Sequence, residues 1–154
     1  MNSKGLFRAF LGSFLLGLVG TLVWFGFSFF GHLGFYSAPV FGILIPLGFY
    51  WFGKTYPTSK KSWFLMFIAL LITLVLAAYL GYAVNVYALF LNQGVSPSDI
   101  YLSDVRNYIF DLLKTNQNFF VYDVAYEIGV GLLASILFGA GTIYFFKRKE
   151  GKTK

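Results

Sequence analysis

The residues able to do chemistry are few. In 154 residues there are six carboxylates, one histidine and no cysteine. The ones whose spacing brings them toward a common place are Asp123 and Glu127, four residues apart, with Asn85, His32 and Arg106 expected at the same level. Asp123 and Glu127 continue the face of Gly131, Ser135 and Gly139, because residues four apart share one side of a helix. Such a cluster could bind a cation, a proton or a small polar ligand. Glu127 would be the central acceptor, His32 a titratable neighbour and Asn85 a hydrogen-bond partner. A purely structural role is the simpler reading: Glu127 pairs with Arg106, or meets interfacial water, and fixes its helix.

Catalysis has little to draw on. There is no pair of His and Glu at helical spacing to hold zinc, and no nucleophile stands beside an obvious base. No catalytic residue, metal or cofactor is expected, and the chain reads as a non-enzyme. Gly129-Val130-Gly131 lies within an apolar stretch, which is the wrong context for a phosphate-cradling loop. Without cysteine, neither disulfides nor thiolate chemistry enters.

The elements that must position these residues follow from composition. Hydrophobic residues make up 58% of the chain and charged residues 12%, against about one quarter charged in a soluble domain. Four apolar stretches, about 6–30, 35–52, 63–91 and 124–146, approach the roughly 20 residues that a helix needs to cross the hydrocarbon. Polar breaks at 31–34, 54–62 and 92–123 separate them. The expectation is an all-α, four-helix transmembrane bundle forming a single integral membrane domain over 1–154.

Lys and Arg set the orientation, since they accumulate in short cytoplasmic loops and at helix ends. Ten of the twelve fall on one side: Lys4 and Arg8, Lys54, Lys60 and Lys61, and Lys147, Arg148, Lys149, Lys152 and Lys154. Arg106 and Lys114 fall opposite. Both termini are therefore expected in the cytoplasm. This clustering also argues against nucleic acid as the reason for the formal charge of +6. Tyr50, Trp51, Tyr56 and Trp63 would bracket the inner loop, and Tyr36, Tyr87, Tyr122 and Tyr126 the outer boundary. Trp24, in mid-span, reads as a packing residue. The first span is too long for a signal-peptide core and is expected to be retained. The Lys147-Arg148-Lys149 tail is basic enough to touch anionic headgroups, although topology alone accounts for it.

Close helix packing in lipid relies on small residues, and each span carries them at four-residue spacing. The first has Ala9, Ser13, Gly17 and Thr21; the second Gly34, Ala38, Gly42 and Pro46; the third Ala69, Thr73, Ala77, Gly81 and Asn85; the fourth Gly131, Ser135 and Gly139. Pro46 removes a backbone donor in mid-span and predicts a kink. In the last polar break, Ser96 as N-cap, Pro97 and Asp99 predict the start of a helix over about 97–114. Its apolar face is Ile100, Val105, Tyr108, Ile109, Leu112 and Leu113, and its polar face Asp104, Arg106, Asn107, Asp111 and Lys114. Such an amphipathic helix would lie on the outer surface or cap the bundle.

The Gly48-Phe49-Tyr50-Trp51-Phe52-Gly53-Lys54 segment with its basic loop, the Leu76-Ala77-Ala78-Tyr79-Leu80 segment, the Gly-rich first hairpin and the outer helix together resemble uncharacterised small four-span membrane proteins of Gram-positive bacteria. That resemblance implies architecture and a bacterial plasma membrane, without catalytic or binding residues. Because the distinctive features concern packing, the expected function is an accessory, regulatory or protective subunit of a larger membrane assembly. Its partners would be the lipid bilayer and a membrane protein or further copies of itself, not nucleic acid. The alternative is an oligomeric channel or small transporter with a polar site near Glu127.

Overall fold

A computed structural model of the protein describes residues 2–30, 34–115 and 124–150. Among the described residues are five α-helices and two 3₁₀ turns, and no strand. Helix α1 is Ser3–Ser28, α2 Ala38–Gly53, α3 Lys60–Asn92, α4 Leu102–Thr115 and α5 Tyr126–Glu150. Three of them, α1, α3 and α5, are long and apolar enough to cross a membrane, and α2 is a shorter apolar helix.

Local chemistry sets the ends. The Asn2 side chain accepts from the Gly5 amide and starts α1. Helix α2 stops where Lys54 turns left-handed, at φ 57°, and its amide bonds back to the Tyr50 carbonyl. Ser59 and Ser62 then form a reciprocal capping box that opens α3, satisfying amides that have no partner within the helix. The Tyr50 and Tyr56 rings stack at 4.5 Å across this loop.

Backbone approach fixes how the helices lie. Gly12 of α1 meets Gly48 of α2 so closely that a methyl group on either would collide with the other's carbonyl oxygen. Gly20 lies against the Phe41 ring, so α1 and α2 run antiparallel. Gly17 faces Thr73, and Ser28 faces Gly81, so α1 and α3 run parallel. Helix α5 follows α2 in direction, with Ser135 at Ala38 and Gly139 at Gly42. Consequently the start of α1, the 54–59 loop and the end of α5 share one end of the bundle. At the other end lie the start of α2, the 93–101 connection and α4.

The small-residue stripes are those contacts. Ala9, Ser13, Gly17 and Thr21 are all buried, as are Ala38, Gly42 and Pro46, then Ala69, Thr73, Ala77 and Gly81, and finally Gly131, Ser135 and Gly139. Asn85 is half-buried at the end of its row. Hydroxyls reinforce the seams: Ser13 donates to the Ile45 carbonyl at 3.1 Å, Thr21 to Thr73 at 3.1 Å and Ser135 to Ala38 at 2.9 Å. Trp24, 1% exposed, packs with Phe41, Ile45, Leu70, Leu74 and Ala77 as the central core. Its ring meets Phe41 edge-on at 6.1 Å, a favoured aromatic geometry.

The structure departs from the sequence expectation in two places. The stretch expected as helix from 35 begins as a 3₁₀ turn, Gly34–Ser37, and becomes α-helical at Ala38, where Pro39 fits the first turn because no intrahelical donor is lost there. The outer helix expected over about 97–114 is split. Ser96 makes no side-chain cap bond, Pro97–Asp99 is a 3₁₀ turn, and Ile100 is extended. Helix α4 then starts afresh, with Asp104 accepting from the Tyr101 amide at 3.2 Å.

Candidate functional site

Helix α4 frames one end of the molecule. Its Val105 and Ile109 are buried against Tyr82 and Val86 of α3, with Ile100, Leu113 and Val124 packed around them. Phe90 and Tyr108 meet edge-on at 5.7 Å. Asp104, Arg106, Asn107, Asp111 and Lys114 are exposed on the opposite face, as the amphipathic pattern requires.

At this end the sequence placed its polar cluster. Glu127 sits half-buried in the first turn of α5, where a negative charge opposes the positive end of the helix dipole. One turn further, Gly131 lies 3.5 Å, measured from the methyl it lacks, from the Trp24 ring. Asn85 is half-buried on α3, one turn beyond Gly81. The fold therefore holds Asn85 and Glu127 at the same end of the bundle. Arg106 lies on the exposed face of α4 and donates to Asn107 Oδ1 at 3.2 Å. His32 and Asp123 lie outside the described residues. Among the described residues, no three His, Asp or Glu side chains gather as metal ligands.

The opposite half of the bundle holds a feature that sequence reasoning missed. Helix α5 is drawn against α2 at Gly42 and Gly139, and α1 keeps α2 and α3 apart. A cleft of about 400 Å³ opens between α2, α3 and α5. Gly42, Ile45 and Pro46 form its floor, Trp63, Phe64 and Phe67 line the α3 wall, and Ile136 and Ala140 line the α5 wall. Its polar contribution is slight, and Ser135, the hydroxyl within it, is already committed to the Ala38 carbonyl. A signal for the cleft did exist: three bulky aromatics on one face of α3 oppose the small pair Gly139 and Ala140 on α5.

Pro46 belongs to this floor. Helix α2 continues through it without a break, although proline leaves the Gly42 carbonyl without its usual amide donor. A methyl added to Gly139 would stand 3.3 Å from that same oxygen. The weak point of α2 is thus where α5 comes nearest.

Searches against protein-family models, curated proteins and solved structures found no match to this chain.

Proposed function

We propose that the chain is a four-span, non-enzymatic protein of a bacterial plasma membrane that acts as an accessory, regulatory or protective subunit of a larger membrane assembly. The fourth span is α2. Its 16 residues give about 24 Å of helix, and the 3₁₀ turn Gly34–Ser37 before it adds about 8 Å, together matching a hydrocarbon core of about 30 Å. The three ends rich in Lys and Arg meet at one end of the bundle, which supports cytoplasmic termini.

One observation carries the choice of role: the serine and threonine hydroxyls buried between the helices are committed to backbone carbonyls. Ser13, Thr21, Ser28, Thr73 and Ser135 are buried, and each donates to a backbone carbonyl. Trp24, Phe41 and Leu74 fill the centre between them with apolar side chains. Helix α5, in contrast, meets its neighbours along one side only. Leu133, Leu137, Tyr144 and Phe145 are exposed on it, and nothing stands within 4 Å of a methyl added to Gly141. A lipid-facing helix with an open glycine suits association with another membrane helix.

Purification in mild detergent, followed by mass determination of the native particle, tests this role. A particle larger than one chain that contains a second protein is expected. A monodisperse monomer without a partner contradicts the role, and flux through reconstituted protein would favour the transport alternative.

A further inference from the structure

We infer that the cleft between α2, α3 and α5 is a binding site for one acyl chain of an anionic phospholipid, whose phosphate is held between Lys60 and Lys147. The inference rests on the membrane-spanning reading above and is independent of the accessory role. A cleft of about 400 Å³ is the size of ordinary ligand sites, which run from roughly 300 to 1,000 Å³. Within a bilayer it cannot stay vacant without forfeiting dispersion contacts along both walls, and its apolar lining matches a hydrocarbon chain. Helical spacing supplies the headgroup partner. On α3, Lys60 lies three and four residues before Trp63 and Phe64 and seven before Phe67, which places it on the wall's own face. On α5, Lys147 lies seven residues after Ala140 and eleven after Ile136, again on the wall's face.

Both walls thus end in an exposed lysine at the same end of the bundle. Lys61 and Arg148 each lie one residue, about 100° around the helix, off those wall faces, and Glu150 is the single carboxylate that the sequence brings to that end. Trp63, 44% exposed, sits between cleft and lysine, where an amphipathic ring marks headgroup depth. Charge and shape therefore select a lipid with an apolar tail and an anionic head over a zwitterionic one.

The test titrates the purified full-length protein with palmitoyl-oleoyl phosphatidylglycerol or with the phosphatidylcholine of the same chains, and counts bound lipid by native mass spectrometry. Tighter binding of phosphatidylglycerol by about 30-fold is expected, the ratio that two surface charges supply. The pair Lys60→Gln and Lys147→Gln should bring the ratio close to one, and Ala140→Phe should abolish the retention of both lipids by filling the cleft. Equal affinity for the two lipids in the unaltered protein overturns the inference. So does a preference that survives removal of both lysines, or lipid retention unchanged in Ala140→Phe. If Ala140→Phe aggregates, the lysine pair decides alone, because both side chains are exposed and outside the packed core. A protein that co-purifies with a partner yet shows no lipid preference sinks the lipid site and leaves the accessory role standing.

Discussion

Replacing Gly42 by alanine probes the seam that holds α5 to the rest of the bundle. The added methyl would lie 2.5 Å from the Ser135 carbonyl oxygen and 2.9 Å from the Gly139 nitrogen, where ordinary contact begins at 3.4 Å. These are backbone atoms, which no rotamer change can move aside. Helix α5 must therefore retreat by about 0.9 Å, which forces the kind of shift that overpacking extracts at about 1–3 kcal/mol. The same retreat stretches the 2.9 Å bond from Ser135 to Ala38 past hydrogen-bonding range, at about 0.6 kcal/mol and at most about 1.7. Alanine's better helix propensity returns up to about 1 kcal/mol. The net loss is about 2 kcal/mol, or roughly 4–8 °C in thermal midpoint, read from melting in detergent. Gly141→Ala is the control on α5 itself, since its methyl meets nothing within 4 Å, and its midpoint should not fall. Equal midpoints for the two variants would refute the claim that α5 is seated through backbone contact at Gly42.

Other consequences are open to measurement. Ser135→Ala removes only the bond to Ala38 and should cost about 0.6 kcal/mol; a loss as large as that of Gly42→Ala would show that the hydroxyl, not the close approach, seats the helix. Ile109→Ala should cost about 2 kcal/mol, the low end of the range for a buried isoleucine. Its effect should appear as faster hydrogen exchange in α4 with α1 to α3 unchanged, and unaltered α4 protection would contradict the docking of that helix on Tyr82 and Val86. Glu127→Gln should cost no more than about 1 kcal/mol, the worth of a carboxylate in a first helical turn, and should leave the native particle's mass unaltered. A correctly folded Glu127→Gln protein that loses its partner or its activity would instead identify the outer polar cluster as functional.

What the sequence discloses depends on how local the physics is. The packing role of Ser13, Gly42, Thr73 and Ser135 is legible because only small residues permit backbones to approach in lipid, and each of these four is buried where helices meet. Trp24 stands out as a packing residue for the opposite reason: a large ring in mid-span needs a partner, and Phe41 supplies one. The division of the outer segment is less legible. Ser96, Pro97 and Asp99 form an ordinary helix-start pattern, yet the chain satisfies it with one 3₁₀ turn and restarts at Leu102, so that Val105 and Ile109 can reach α3. That outcome is tertiary. The cleft is tertiary as well, since it depends on α5 leaning toward α2 rather than α3. No periodicity within one helix specifies which neighbour it chooses. For the polar cluster, spacing puts Asn85 and Glu127 toward one end, while Arg106 is turned outward because Val105 and Ile109 claim the buried face of α4.

The protein has no natural cysteine, so single cysteines report the threading of the chain directly. Ser98→Cys lies in the exposed connection beyond α3, and Thr58→Cys in the exposed part of the loop between α2 and α3. A maleimide that cannot cross membranes should label Ser98→Cys on intact cells, and should label Thr58→Cys only after the cells are opened. Labelling of Thr58→Cys from outside, or protection of Ser98→Cys until lysis, would contradict a chain that crosses four times with its basic ends in the cytoplasm.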